Sequence, residues 1–402
     1  RDSSVTGVQT CALPIYMASP IRGNTSKGES VLHKKECCDR VLTSLEHSIS
    51  IPIQGKLSQR TIFQTLTAMA VSHQSIHSIS NSLTLTPCET SIRYHLNKLS
   101  IQELESVNSQ ILTEYADTLL KRGRSYQFAI DYTHDPYYGK KNEENTDYII
   151  RSRLKKSTTD FYSYITLYVT TRDRQFTLAV FPVRQGFSKV HYLAQCLDVI
   201  RRLGIHIEAL CLDREFYAKK VFYFLQRSGV PYIIPVKRHS QQMKILLEGT
   251  KFRFGTYIMK NKPIDLTLKI AIVVKYLMGK GGKKGSKNLG YVYHGINWNP
   301  SKINNAYRSR FSIESSYRMR NQVKPKTSSR NPVIRYLFTL ISFLLKNIWM
   351  VLLWTYFSPV KRGPKTIIRR DFRFNVYSLL VWESIKNKLK CISYVVANNR
   401  PD

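Results

Sequence analysis

Residues 307–321 read Tyr-Arg-Ser-Arg-Phe-Ser-Ile-Glu-Ser-Ser-Tyr-Arg-Met-Arg-Asn, and the meaning of this stretch decides the fold. In a helix, at roughly 100° per residue, Tyr307, Arg310, Glu314 and Asn321 fall within about 60° of one another. One carboxylate therefore shares a face with an arginine and a phenol. A carboxylate there can hold a divalent cation while the arginine grips a phosphate bidentately. An ordinary basic amphipathic helix has the same spacing, so the choice falls to the rest of the chain.

The composition narrows the partner. The 402 residues carry 62 Lys+Arg against 27 Asp+Glu, a formal net charge of +35. A compact fold with that imbalance repels itself unless a polyanion neutralises it, which makes nucleic acid the leading partner class and an anionic membrane the second. The length suffices for two or three domains. The 25 Tyr suit stacking or groove contacts, although most aromatics serve a core. The seven Cys include no C-x-x-C pair, and Cys37 and Cys38 are adjacent, so they read as reduced cytosolic thiols rather than a zinc site or disulfides. The expected location is cytoplasmic, on the nucleoid, with no secretory signal.

Val5 to Ile15 (VTGVQTCALPI) resembles an in-frame translation of a sequencing adapter, and Met17 follows shortly after. Residues 1–16 are therefore read as an assembly artefact and left out of fold reasoning, with Met17 as the expected natural start.

Residues 17–57 form a polar, poorly defined lead-in. From 58 to 122 the pattern is helical, with Ile62, Leu66, Met69 and Ala70 on one face. A second short segment, 75–83, precedes a marked helix start. There Thr86 is the expected cap, Pro87 occupies the first turn and Glu89 completes a capping box. Ile92, Leu96 and Leu99 then face inward and leave Arg93, His95 and Lys98 outward. Two short helices with an outward basic second member match the helix-turn-helix pattern, which makes those three residues candidate DNA contacts.

Gly123 breaks this pattern, and a catalytic domain is expected over 123–239. Residues 126–132, 161–171 and 175–183 read as three strands, the last two joined by a turn at 172–174. Helix 189–203, ending at Gly204, strand 207–212, helix 218–227 and strand 231–236 follow. A three-strand meander followed by αβαβ predicts a mixed α/β sheet of ribonuclease-H-like order. Residues 240–305 read as a β-rich insertion with a basic hairpin tip at 279–288, and 306–358 as the last part of the catalytic core. Within it, residues 333–354 are apolar enough to raise a membrane span. Arg335, Thr339, Ser342 and Lys346 lie on one narrow stripe, however, and two cations on the only polar face of a lone span are costly. A core helix with that stripe turned to solvent is expected, and no membrane partner. Residues 359–402 form a basic tail, with Lys361, Arg362, Lys365, Arg369, Arg370 and Arg373.

Asp131 ends the first expected strand and Asp213 the fourth. Ligands of open sheets bind at the carboxyl ends of strands, so adjacent strands would bring these two together, with Glu314 arriving on the later helix. Clustered carboxylates need a cation between them, and oxygen-only ligands favour Mg²⁺ or Mn²⁺. Two such ions about 3.5–4 Å apart serve in-line displacement at phosphorus. Asp135 and Glu215, each close to one of these residues, read as supporting or solvated groups.

On these residues the chain resembles the DDE transposases of bacterial and archaeal insertion sequences, in the group with a Tyr-x2-Arg-x3-Glu-x6-Lys/Arg signature. Tyr307, Arg310 and Glu314 match its first three positions, and AIDYTHDPYYG and LDREFY match the first two acidic motifs. The resemblance spans roughly residues 60–357. It implies Asp131, Asp213 and Glu314 as catalytic ligands of two Mg²⁺ (or Mn²⁺) ions, and Tyr307 and Arg310 on DNA phosphate. It also implies cleavage at element ends followed by strand transfer, with a homodimer assembled on double-stranded DNA. The final basic position of the signature is Asn321 here, which leaves Arg318 and Arg320 as neighbouring candidates. Two rival functions remain: a DNA-binding protein derived from a transposase without cleavage, and a metal-dependent nuclease without strand transfer.

Overall fold

The structure, a computed structural model, describes residues 31–55, 57–260, 265–278, 284–358 and 366–393. The expected artefact at 1–16, the Met17 start, the centre of the hairpin tip (279–283) and Lys361, Arg362 and Lys365 lie outside these residues.

Among the described residues five α-helices come first: α1 (Lys34–Ser48), α2 (Gln59–Val71), α3 (Ile76–Ser82), α4 (Glu89–Leu96) and α5 (Ile101–Thr113). Strands β1 (Ser125–Pro136), β2 (Ile149–Lys155), β3 (Thr158–Val169) and β4 (Phe176–Pro182) follow. Next come α6 (Lys189–Arg202), β5 (His206–Leu212), α7 (Lys219–Arg227), β6 (Tyr232–Pro235) and α8 (Gln241–Leu246). Strands β7 (Arg253–Met259), β8 (Leu266–Met278) and β9 (Lys284–His294) precede α9 (Pro300–Ser309), α10 (Ser312–Gln322), α11 (Pro332–Tyr356) and α12 (Phe374–Leu389).

All nine described strands join one mixed sheet. β3 pairs antiparallel with β1, and its other edge is shared by β2 and β4; β1 pairs parallel with β5, and β5 parallel with β6. Phe161–Val169 and all of β4 are buried without alternation, the pattern of strands covered on both faces. α9 and α10 lie on one face, where Ile303, Ala306 and Tyr307 meet Ala209, Cys211 and Ile233, and Ile313 meets Ala129 and Tyr168. α6 packs on β4 and β5. Gly204, at φ +63°, follows α6 in the left-handed conformation that closes a helix without a Cβ clash.

Several expectations are corrected. β1 extends to Pro136, so Asp131 stands mid-strand rather than at a strand end. β2 was not expected: only Ile149 of its seven residues is buried, which leaves little apolar periodicity to read. The stretch 240–305 does hold three strands, β7, β8 and β9, and they continue the sheet, because β9 pairs antiparallel with β6 and β8 with β9. Residues 284–288 of the expected tip belong to β9. Thr86 does not cap α4: Cys88 holds that position without a side-chain bond, and the Thr86 hydroxyl donates to Leu83 O at 2.7 Å. A capping box forms instead at Ser100 and Glu103 on α5. The lead-in contains α1 and the tail contains α12, and these two helices pack on each other and on α2.

The largest correction concerns α11. Every residue from Ile334 to Trp354 is buried, between the sheet on one side and α1, α2, α5 and α12 on the other. Its polar stripe faces inward rather than to solvent. Arg335 lies over the rings of Tyr137 and Tyr162, Thr339 donates to Asp135, and Lys346 Nζ donates to Gln175 O at 2.8 Å. Each polar group keeps a partner, as burial requires.

Candidate active site and basic cleft

The register of two parallel strands sets the site. Ala129 pairs with Cys211 and Ile130 with Leu212, so the next step places Asp131 beside Asp213 on the face that carries α9 and α10. The segment 307–321 is two helices rather than one. α9 ends at Ser309 and α10 starts at Ser312, with Arg310 at the junction. Arg310 and Glu314 still face the same space, and three carboxylates surround one guanidinium. Arg310 Nη1 lies 2.7 Å from Asp131 Oδ2, and Nη2 lies 3.9 Å from both Asp213 Oδ1 and Glu314 Oε1.

Burial differs across this group. The Asp131 and Arg310 side chains are 14% and 6% exposed, whereas Asp213 and Glu314 are 34% and 51% exposed and open to a ligand. Burial pushes the Asp131 carboxyl up to about 6, against the opposing pull of Arg310. Asp131 Oδ1 also accepts the Tyr132 N–H at 2.9 Å. Arg310 Nε is buried with no hydrogen-bond partner among the described residues. Tyr307 is buried under Arg310 and against Tyr291, its ring 5.4 Å from the guanidinium carbon. Burial raises its hydroxyl above the ordinary phenol range.

Among the described residues no three His, Cys, Asp or Glu side chains form a group able to hold a metal ion as they stand. Asp131, Asp213 and Glu314 nonetheless converge on one cation, and they are oxygen donors without Cys or His. That donor chemistry fits Mg²⁺ or Mn²⁺, with Arg310 standing where the charges meet.

A cleft of about 1290 Å³ opens from this point across β6, β8, β9 and α9. Arg214, Lys237, Arg238, Lys275, Lys287 and Arg308 line it, and among the described residues Asp213 supplies its only carboxylate. Lys275 and Lys287 face each other in the β8–β9 register. The sequence reading missed this cleft, although Arg214 directly follows Asp213 and Lys237-Arg238 come one residue after β6.

Other expected contacts fall differently. His95 is 3% exposed and its Nδ1 lies 3.2 Å from Pro52 O, so it faces inward. Arg93 pairs with Glu89 at 2.7 Å, and Lys98 Nζ donates to Pro52 O and lies over the Tyr94 ring. Arg318 is exposed, and Glu215 is exposed in the short turn after Asp213. Arg320 is fully buried and forks onto Asp135, with Nη1–Oδ1 at 3.1 Å and Nη2–Oδ2 at 2.8 Å. Lys324 Nζ lies 2.5 Å from the same carboxylate. Asp135 is therefore neither solvated nor a neighbour of the acidic trio: it is the internal counterion of α10. Burial alone would raise its pKa, but Arg320 and Lys324 outweigh burial and hold it at about 2.

No protein-family model matches the chain, and no curated protein matches it by sequence. Among solved structures it is similar to a piggyBac transposase chain from the cryo-EM structure of a synaptic complex with hairpin DNA. The TM-score is 0.53 at 9% identity, over 91% of this chain and 84% of that one. At that identity the likeness speaks for the fold: a mixed sheet with flanking helices, in the arrangement of a transposase chain.

Proposed function

We propose that the protein is a DNA transposase of the DDE type, which cleaves DNA at the ends of a mobile element and joins the freed 3′ end to target DNA. The observation that carries this reading is the convergence of Asp131, Asp213 and Glu314 on Arg310 at the mouth of a basic cleft. The strand order β4-β3-β1-β5-β6, with only β3 antiparallel to its neighbours β4 and β1, supports the reading of a ribonuclease-H-like core.

In this reading Asp131, Asp213 and Glu314 hold Mg²⁺ or Mn²⁺. The bound ions supply an activated attacking oxygen and charge stabilisation for the leaving oxygen at phosphorus. The protein's own part is positional. The Lys and Arg side chains of the cleft hold the phosphate backbone, Arg310 grips the phosphate nearest the carboxylates bidentately, and buried Tyr307 backs its guanidinium. Arg93 on α4 and Lys98 just past its end are candidate duplex contacts of a helix-turn-helix formed by α3 and α4, and exposed Arg318 is a further phosphate contact. Joining two element ends calls for a homodimer assembled on DNA, in the cytoplasm and on the nucleoid.

The test is a Mg²⁺ or Mn²⁺ reaction containing DNA from both flanks of the coding sequence and a target plasmid. Joined flank–plasmid molecules are the expected product. Cleavage without joining would replace the reading with that of a metal-dependent nuclease. Tight binding with neither product would replace it with that of a DNA-binding protein.

A further inference from the structure

We propose that Arg310 is a stand-in cation. Its guanidinium occupies the seat between Asp131, Asp213 and Glu314 until a DNA phosphate draws it out, so that divalent-ion binding and DNA binding are coupled through one side chain. The proposal rests on reading the three carboxylates as an ion site.

The contacts make the two occupants exclusive. Both terminal nitrogens of Arg310 are directed at the carboxylate oxygens, at 2.7, 3.9 and 3.9 Å. Mg²⁺ needs those oxygens at about 2.0–2.1 Å, in a near-octahedral shell that has no room for a guanidinium among its donors. Arginine stays charged at any relevant pH, so it vacates the seat by moving rather than by losing a proton.

The side chain is held loosely for a buried cation. Of its contacts with the three carboxylates, only that with Asp131 is a hydrogen bond, because 3.9 Å is too long for one, and its other polar neighbour is the Tyr307 hydroxyl. Its Nε is buried without a partner, and such an unmet donor is unfavourable until something accepts from it. A phosphate offers oxygens to Nε and Nη together, the fork geometry that arginine prefers. Phosphates have a route to it, since Arg310 lines the same cleft as Arg308, Lys237 and Arg238. Once the guanidinium leaves, three carboxylates face one another without a counter-charge, and a divalent ion is what neutralises them. Coupling of this kind is reciprocal: DNA tightens the ion, and the ion tightens DNA by the same factor.

The experiment is Mn²⁺ binding to the full chain, read from the electron paramagnetic resonance of free Mn²⁺, with and without a random-sequence duplex at constant ionic strength. Asp131→Asn identifies the sites counted. In the wild type, the duplex is expected to tighten Mn²⁺ by about tenfold or more. Arg310→Gln, which removes the cation, is expected to bind Mn²⁺ tightly without DNA and to lose most of the DNA effect. Arg201→Gln removes a surface charge on α6, outside both the seat and the cleft, and is expected to shift Mn²⁺ affinity less than about twofold. Arg310→Lys keeps the charge on a shorter point cation; an intermediate affinity supports the proposal should the Gln variant fold poorly. Equal Mn²⁺ affinity of the wild type and both Arg310 variants overturns the stand-in role and leaves the ion site intact. No Mn²⁺ bound by any variant, with or without DNA, overturns the ion site itself and the proposal with it.

Discussion

Arg320 Nη2 lies 2.8 Å from Asp135 Oδ2, between a helix and a strand that are 185 residues apart in sequence. Asp135 shares its β1 face with Asp131, and Arg320 shares α10 with Glu314. The pair therefore fixes the distance between two of the three acidic residues from the far end of the helix. Ser342 and Thr339 of α11 accept from Arg320 as well, so the same knot ties α10 to the long core helix.

Replacing Asp135 by Asn leaves Arg320 and Lys324 buried without a counterion. The expected cost is about 3–5 kcal/mol near neutral pH, measured by urea unfolding. Because the pKa of Asp135 is held at about 2 against an ordinary 3.8, its stabilisation is complete above about pH 4 and is lost as pH falls through 2. The pH-dependent share amounts to roughly 2 kcal/mol, so the gap between wild type and variant should narrow across that window. A gap that stays constant from pH 5 to 2 contradicts the assignment.

Arg320→Lys keeps the charge and loses the fork. If the knot positions Glu314, this variant should slow cleavage about tenfold or more while changing the DNA dissociation constant less than about twofold. Equal losses in binding and turnover would place Arg320 on DNA instead.

The cleft carries a separate expectation. Lys275→Ala combined with Lys287→Ala should weaken binding to all duplexes alike, and should flatten the slope of log affinity against log salt by about 2. An unchanged slope would mean that DNA does not lie across the paired strands β8 and β9.

The Phe343 side chain is fully buried on α11, with the Arg320 guanidinium carbon 5.2 Å from its ring centroid. Phe343→Ala should cost about 3–5 kcal/mol, and wild-type protein should stay in the aqueous phase of a detergent partition. Recovery in the detergent phase would contradict a core role for this helix.

The core was legible where local pattern and tertiary environment agree. The continuous apolar runs of β3, β4 and β5, and the amphipathic α6 and α7, are readable because each buries what its own sequence shows. The two Asp residues and the Tyr-Arg-Glu segment were readable as residue types, and the β1–β5 register explains why they meet. Features set by distant partners were not readable. Nothing near Arg335, Thr339 and Lys346 reveals that Asp135, Tyr162 and Gln175 await them inside, so a polar stripe reads as solvent-facing. His95 turns inward because the loop at Pro52 supplies an acceptor from 43 residues away. The pairing of β9 with β6 is likewise a long-range contact, and without it residues 240–305 read as a separate insertion. The break at Arg310 leaves no Gly or Pro signal within 307–321.

The most direct test of the central claim is nicking of supercoiled plasmid by the full chain in Mn²⁺, comparing wild type with Glu314→Gln. The variant removes one anionic oxygen from the acidic trio and little else, so nicking should be lost while DNA binding persists. Equal nicking by both proteins would contradict a site built on Asp131, Asp213 and Glu314.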